Sequence, residues 1–409
     1  MSGKVYELPE AFLRDSEAEW VSNFWDTYNQ QRQEWLAEKQ ELRNYIFATS
    51  TRTTSNKTLP WKNSTTLPKL CQIRDNLHSN YISALFPNDE WLRWEGYSVE
   101  DSLKQKASAI EAYMKNKTRE GNLRSRVSSL VYDYIDYGNA FAIPDYVERS
   151  KADVDGSKIP GYTGPLLRRI SPEDIVFNPT AASFQDTPKV IRSMHTLGEL
   201  VQMAEDEPEN RFLHDAVQKR MDMMNRASSI KAEDFNKAVA YSVDGFGNYQ
   251  EYLQSNYVEM LTFYGDYYDK DTATLQRNQV ITILDRSSVA RTETYPSWLG
   301  HAPIYHVGWR LRPDNLYAMG PLDNLVGMQY RIDHLENIKA DAMDLSIHPP
   351  LKIKGEVEEF KWGPDEEIHL DENGDVEELG RNLGPVITAS NEIQVLEDKM
   401  ELYAGAPRE

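Results

Sequence analysis

The sequence predicts an α+β fold, because helix-type and strand-type patterns occupy different parts of the chain and do not alternate as βαβ repeats. Apolar residues recur at helical spacing through most of residues 1–137, whereas strand-type segments dominate residues 138–320. Residues 321–409 combine two helices with a short β unit. A chain of 409 residues is longer than one ordinary core requires, so two or three substructures are expected.

The N-terminal part is predicted to contain four helices. The first carries apolar side chains at helical steps among Glu, Gln and Arg. The third begins at the capping box Ser98-Val-Glu-Asp101, and the fourth ends at Gly138. The predicted bounds are Ala11–Tyr45, Leu67–Leu85, Ser98 to about Lys117, and about Asn122–Tyr137.

The middle of the chain is predicted to be mainly strands. Gly-rich stretches separate the first strands, and polar helical sequence fills residues 207–237. The predicted strands are Ala140–Val147, Leu166–Ile170, Lys189–His195, Tyr257–Tyr268, Gln279–Leu284 and Ile304–Leu311, with a short helix at Thr196–Glu205.

The C-terminal part has a different plan. Pro321 opens a long helix in the tolerated first-turn position, and Pro349-Pro350 ends it. Strands at Leu351–Lys354 and Val357–Trp362 follow, before Gly384-Pro385 closes the β unit. A second helix then starts near Thr388. This order predicts a projecting two-helix stalk with a small β cap.

The composition is that of a folded, strongly acidic protein. Aromatic residues make up 11% of the chain, which favours collapse into a core. The net charge is −20, so the surface as a whole is poorly suited to binding the phosphate groups of a nucleic acid. Between Glu356 and Glu378 there are eleven Asp and Glu against one Lys, a net charge of −10. We interpret this acidic segment as a docking face or a channel rim, with a solvated repelling surface as the alternative.

Motifs for catalysis and cofactors are missing from the sequence. There is no Gly-x-x-x-x-Gly-Lys-Ser/Thr loop and no His-Glu-x-x-His, and Cys71 is the one cysteine. We therefore expect no enzyme activity, no cofactor and no metal. Catalytic residues that meet only in the fold leave a hydrolase as a third alternative. The N-terminus lacks an apolar signal core, and no apolar run is long enough to span a bilayer, so we expect neither secretion by that route nor membrane insertion.

Several segments resemble portal proteins of tailed bacteriophages, most closely the short-tailed type. Ala302–Arg310, Arg312–Asp323 and Met328–Asn337 are similar to the segment that enters the first stem helix of that family. Leu77–Trp91 and Ile170–Pro179 are similar to segments of its wing. The order of the segments, wing, stem, clip and stem, is more specific than any one of them.

The resemblance implies the domain organisation. A helical and β-rich wing would occupy residues 1–320, with N-terminal helices at 1–137 and an α+β part at 138–320. The first stem helix would span 321–348, the β clip 349–386, and the second stem helix 387–404. Residues 405–409 would begin the tunnel loop. Portal subunits normally continue into a further wing portion and a helical crown, so either this sequence is part of a longer protein or the remainder is supplied otherwise.

The resemblance also implies function, partners and location. The chain would be one subunit of a dodecameric ring at one capsid vertex, through which double-stranded DNA passes without sequence specificity during packaging and ejection. Capsid protein, the terminase and a tail adaptor would be its partners. The ring would assemble in the host cytoplasm and remain in the virion. The alternative is another phage structural protein, either a head–tail adaptor or an internal ejection protein.

Two groups of residues are the candidate sites. Gln329, Asp333 and Glu336 of the first stem helix are expected to contact neighbouring subunits or the lumen, or else to be solvated helix positions. The acidic residues of the clip are expected to dock the packaging motor and the tail adaptor. They are Glu356, Glu358, Glu359, Asp365, Glu366 and Glu367.

Overall fold

The computed structural model describes residues 15–47, 63, 65–88, 91–94, 101–152, 158–227, 256–269, 273–295, 300–347, 351–354, 375–378 and 384–405. These residues form helices and antiparallel strands, which confirms the predicted α+β class. The helices are α1 (Ser16–Gln31), α2 (Gln33–Ile46), α3 (Lys69–Leu85), α4 (Asp101–Glu120), α5 (Leu123–Asp136), α6 (Leu197–Asp206), α7 (Arg211–Ala227), α8 (Val326–Ile347) and α9 (Gly384–Ala404). The strands are β1 (Asn139–Ala152), β2 (Lys158–Ile170), β3 (Ile175–Phe177), β4 (Lys189–Thr196), β5 (Tyr257–Asp269), β6 (Thr274–Leu284), β7 (Ser288–Thr294), β8 (Tyr305–Gly308), β9 (Arg310–Arg312), β10 (Asn315–Met319), β11 (Leu351–Lys354) and β12 (Asp375–Glu378).

The chain divides into two compact units. The larger unit comprises Met1–Glu38 and Ile82–Gly320, and the smaller unit comprises Lys39–Tyr81 and Pro321–Glu409. One of these divisions falls between Gly320 and Pro321, and the assignment of wing, stem and clip stays a prediction. Residues 39–81, expected among the wing helices, instead group with the C-terminal helices. The cause is a set of hydrogen bonds between residues 63–70 and α8, described below.

The larger unit is built on a five-stranded antiparallel sheet in the order β3-β4-β5-β6-β7. Helix α1 packs its apolar face against this sheet, where Trp25 is almost fully buried. The ring of Trp20 meets Phe263 edge to face, with ring centroids 4.8 Å apart. Contacts of this kind between large rings account for much of the stability of a sheet–helix core.

The turn from β6 to β7 carries buried charge. Asp285 and Arg286 both adopt left-handed φ values, 49° and 55°, as a tight hairpin turn requires. Arg286 donates to both carboxylate oxygens of Glu259, at 2.7 and 3.0 Å, and Asp285 forms an ion pair with Arg220 at 3.1 Å. The charged turn is therefore neutralised inside the unit, as buried charges must be.

A second sheet in the larger unit has the order β2-β1-β8. Its core contains Phe141, Phe177 and Phe184, and His306 stacks on Phe141. The ring of His306 bonds to the side-chain oxygen of Asn139 at 2.9 Å. Burial lowers the pKa of His306 to about 4, so this histidine is a neutral core residue at pH 7.

The remaining apolar core of the larger unit lies between α6, α7 and strands β5 to β7. Thr196 begins α6 with a capping box, since its hydroxyl accepts from Glu199 N–H and the Glu199 carboxylate accepts from Thr196 N–H. This arrangement satisfies two backbone donors that a helix end leaves free.

In the smaller unit, α8 and α9 pack against each other, and the antiparallel pair β11–β12 connects to their ends. Helix α9 buries Ala389, Ile393, Met400 and Ala404 on one face. The 3₁₀ turn Asp323–Leu325 leads directly into α8.

Several sequence-based elements differ from the structure. The predicted helix Ala11–Tyr45 is interrupted at Arg32, whose guanidinium donates to the carbonyls of Pro172, Glu173 and Ile175. Strands β3, β7, β10 and β12 were not predicted. Helix α9 begins at Gly384 rather than near Thr388, because Pro385 fits the first turn of a helix. The predicted strand Val357–Trp362 lies outside the described residues.

Candidate functional site in the two-helix unit

Helix α8 presents a row of polar side chains at four-residue intervals. They are Gln329, Asp333, Asn337 and Asp341. This spacing places them on one face of the helix, about 6 Å apart along its axis. Alternate residues of an extended chain lie roughly 6.6 Å apart, so their backbone groups have nearly the same spacing as the side chains of this row. Asn63 and residues 65–70, here called the docked segment, lie along it.

The amide side chains of α8 bond the main chain of the docked segment. Asn337 accepts from Thr65 N–H at 2.7 Å and donates to the Thr65 carbonyl at 3.0 Å. Gln329 donates to the Leu67 carbonyl at 2.6 Å and accepts from Leu70 N–H at 3.2 Å. Asn337 thus supplies to Thr65 the two hydrogen bonds that a neighbouring β-strand would supply. Gln329 instead accepts from an N–H group in the first turn of α3.

Asp333 lies at the centre of this row and is fully buried. Its Oδ1 accepts from Leu67 N–H at 2.9 Å and from the Gln329 amide at 2.8 Å. Its Oδ2 has no hydrogen-bond partner in the described part of the chain. Burial raises the pKa of Asp333 to about 6, and the bonds from Leu67 and Gln329 offset part of that rise.

The end of the row is anchored by Asn63. Its backbone N–H and side-chain amide donate to Asp341 Oδ1 at 2.8 and 3.0 Å, and the amide also donates to Asp344 at 2.8 Å. The hydrogen bonds described above at Thr65, Leu67 and Leu70 all involve backbone atoms of the docked segment.

Ion pairs add to this arrangement at its edges. Arg331 of α8 pairs with Glu392 of α9 at 3.0 Å. Lys69 pairs with Glu401 at 2.7 Å, which ties the start of α3 to the end of α9. These pairs fix the relative register of the helices, although the exposed Arg331–Glu392 pair contributes little free energy.

Helices α8 and α9 also expose large apolar side chains. Val395 is 50% exposed and Leu402 is 59% exposed, although both belong to a helix with a well-buried inner face. We call this set the outer apolar surface: Tyr330, Ile338 and Met343 on α8, and Ile387, Val395, Leu402 and Tyr403 on α9. These seven side chains are candidates for contact with a partner.

The structure brings two of the predicted stem residues together. Gln329 and Asp333 are adjacent and buried, and their described contacts lie within the chain. Glu336 is partly buried and pairs with Lys339 at 2.5 Å. The expected contact of these residues with a neighbouring subunit or the lumen stays a prediction. Asn337 and Asp341 were missed, although their four-residue spacing from Asp333 was a signal in the sequence.

The acidic residues predicted as the docking face of the clip lie outside the described residues. They are Glu356, Glu358, Glu359, Asp365, Glu366 and Glu367. Only β11 and β12 of that region are described, as an antiparallel pair with Leu351 opposite Glu378.

The described residues show neither a metal-binding cluster nor a membrane-spanning helix. The described side chains contain no cluster of three or more His, Cys, Asp or Glu that could hold a metal ion. No described helix combines the length and apolarity needed to cross a membrane. No model of a protein family matches the sequence, and no curated protein is significantly similar to it.

Proposed function

We propose that this chain is a subunit of a bacteriophage portal ring, the channel through which DNA enters and leaves a capsid. The observation that carries the proposal is the pair α8 and α9, joined through a small β pair and exposing the outer apolar surface. A helix–β–helix stalk in this position matches the stem and clip that the sequence resemblance implies.

The outer apolar surface supports association with further copies of the same chain. Seven large apolar side chains lie exposed on this one helix pair. Covering such side chains contributes about 25 cal/mol for each Å² removed from water. Head-to-tail contact between identical subunits closes into a ring when the rotation between them is right. A second copy is therefore the partner that we assign to this surface.

The charge of the chain supports a conduit for DNA. With a net charge of −20, the protein does not neutralise phosphates over its surface, so double-stranded DNA can pass without being trapped. The acidic segment Glu356–Glu378 would offer a docking face to the terminase and the tail adaptor, and the larger unit would contact capsid protein. The ring would act as a structural channel without catalysis, in the virion.

The experiment compares two substitutions that each add one negative charge at adjacent exposed positions of α9. In sedimentation velocity, Val395→Glu should shift the chain from the ring towards single copies, because the charge would be buried in the subunit interface. Gln394→Glu should leave the ring intact. Both variants should keep the unfolding temperature of the parent chain. Equal behaviour of the two variants, with the ring unaffected, would contradict the assignment of this surface.

A further inference from the structure

A small cavity in the larger unit lies between the segment that follows α3 and helices α4 and α5. Its volume is about 200 Å³. Its lining includes Phe86, Trp91, Glu111, Lys115, Arg119 and Arg124. None of them belongs to the two-helix unit, so this cavity is separate from the site described above.

The described lining of the cavity is basic in a chain that is otherwise acidic. Lys115, Arg119 and Arg124 face one acid, Glu111, which gives the lining a charge of +2 in a protein of −20. Arg119 and Arg124 are exposed, and neither forms an ion pair within the described residues. Arg119 and Arg124 therefore remain available to an anionic ligand.

One wall of the cavity is aromatic. Phe86 is nearly buried, and Trp91 meets it edge to face with ring centroids 4.9 Å apart. Trp91 is still 37% exposed, and the guanidinium of Arg124 lies 6.0 Å from the centroid of the Phe86 ring. Trp and Arg are the residue types that contribute most to binding at protein interfaces.

Helix α4, which forms another wall, is poorly covered. None of its described side chains is buried, and Ile110 and Tyr113 are 46% and 52% exposed. A 20-residue helix with apolar side chains normally buries one face against its own protein. Its exposure here indicates a surface that a partner covers.

We propose that this cavity binds an acidic peptide segment of a partner protein, with one apolar side chain inserted against Phe86 and Trp91 and flanking carboxylates on Arg119 and Arg124. The size of the cavity favours a single side chain, since sites for drug-sized ligands measure about 300 Å³ or more. The aromatic wall favours a peptide, because it can cover one apolar side chain, whereas the basic residues of α4 and α5 would attract any polyanion. The proposal does not depend on the portal function.

The test is fluorescence anisotropy with labelled peptides of sequence Glu-Asp-X-Asp-Glu, where X is Leu, Phe or Trp, added to the full chain. We expect binding that depends on X and weakens as salt is raised, as charge-assisted binding does. Reversing both charges with Arg119→Glu and Arg124→Glu should weaken binding by roughly tenfold or more. Trp91→Ala should reduce the discrimination between the three peptides.

Two controls distinguish binding at this cavity from general electrostatic attraction between the acidic peptides and basic side chains of the protein. Lys104→Glu and Lys106→Glu reverse two charges on the same helix outside the cavity and should leave affinity within about twofold. A labelled oligo-dT probe should bind more weakly than the peptides. The proposal is overturned by no binding of any peptide, by equal loss in both double variants, or by tighter binding of oligo-dT through the same arginines.

Discussion

At the scale of single residues, the close approach of Gly138 and Gly320 shows how local geometry restricts which amino acid can occupy a position. Gly138 has a φ of +72°, and a Cβ on it would lie 2.5 Å from the nitrogen of Gly320. This approach sets the start of β1 beside the end of β10. The sequence predicted Gly138 as a helix end but gave no sign of its contact, since Gly320 is remote along the chain.

Gly138→Ala should therefore destabilise the larger unit. The left-handed conformation alone costs about 1–2 kcal/mol for a residue with a Cβ, and the overlap with backbone atoms adds to that cost. Urea denaturation of the full chain measures the change. Gly198→Ala is the matched control, because a Cβ there meets nothing within 4 Å and Ala favours the helix. Equal effects of the two substitutions would show that the contact with Gly320 is not limiting.

Asp333 makes a prediction for pH. Its pKa is about 6 in the folded chain, against 3.8 for an ordinary Asp, so the folded chain holds this proton more tightly than the unfolded chain. The contribution of Asp333 to the free energy of unfolding should fall as the pH rises from about 4 to about 6. Above that range the carboxylate is charged, and the full cost of burying its charge lowers the stability of the folded chain.

Asp333→Asn removes this titration and keeps an oxygen that accepts the bonds from Leu67 and Gln329. The free energy of unfolding of the parent, minus that of Asp333→Asn, should therefore decrease between about pH 4 and about pH 7. Urea denaturation at several pH values measures it. A difference that stays constant over this range would contradict the burial of a charged Asp333.

At the scale of elements, the side chains of α8 take the place of a partner strand and of a helix cap. Leu70 lies in the first turn of α3, where backbone N–H groups lack partners within the helix. Gln329 accepts that N–H from a position more than 250 residues away in sequence. Helix α3 is thus positioned by a long-range contact.

Gln329→Ala should loosen the docked segment. It removes the acceptor of Leu70 N–H and the donor to the Leu67 carbonyl, at a cost of about 1–3 kcal/mol for buried groups. Hydrogen exchange at Leu70 should become faster by roughly tenfold or more. Gln394→Ala, an exposed glutamine of α9, is the control and should leave this exchange unchanged. Unchanged exchange in Gln329→Ala would show that other contacts hold the segment.

The same elements show which parts of the structure can be predicted from the sequence. Helical spacing located α3, α5, α6 and α8 to within a few residues, because each has a regular apolar face and a clear stop. Strand β7 was missed because only its first three residues are buried and the rest are polar. The sequence marked Gln329 and Asp333 as candidates, yet their partners could not be predicted, since main-chain recognition leaves no pattern in the docked segment.

At the scale of the whole molecule, charge and exposed apolar side chains differ from one part of the chain to another. Half of the net charge of −20 falls in the sequence Glu356–Glu378. In the larger unit the cavity beside α4 and α5 has a basic lining, and in the smaller unit α8 and α9 expose large apolar side chains. The portal proposal would explain these differences by contacts with several partners.

The most direct test of the portal proposal is the native mass of the purified chain, expressed from its complete gene, together with negative-stain images of the same sample. The proposal predicts a closed ring of about twelve copies with a central channel, held by contacts between identical subunits. A mass equal to one copy at every concentration, with no ring in the images, would contradict it.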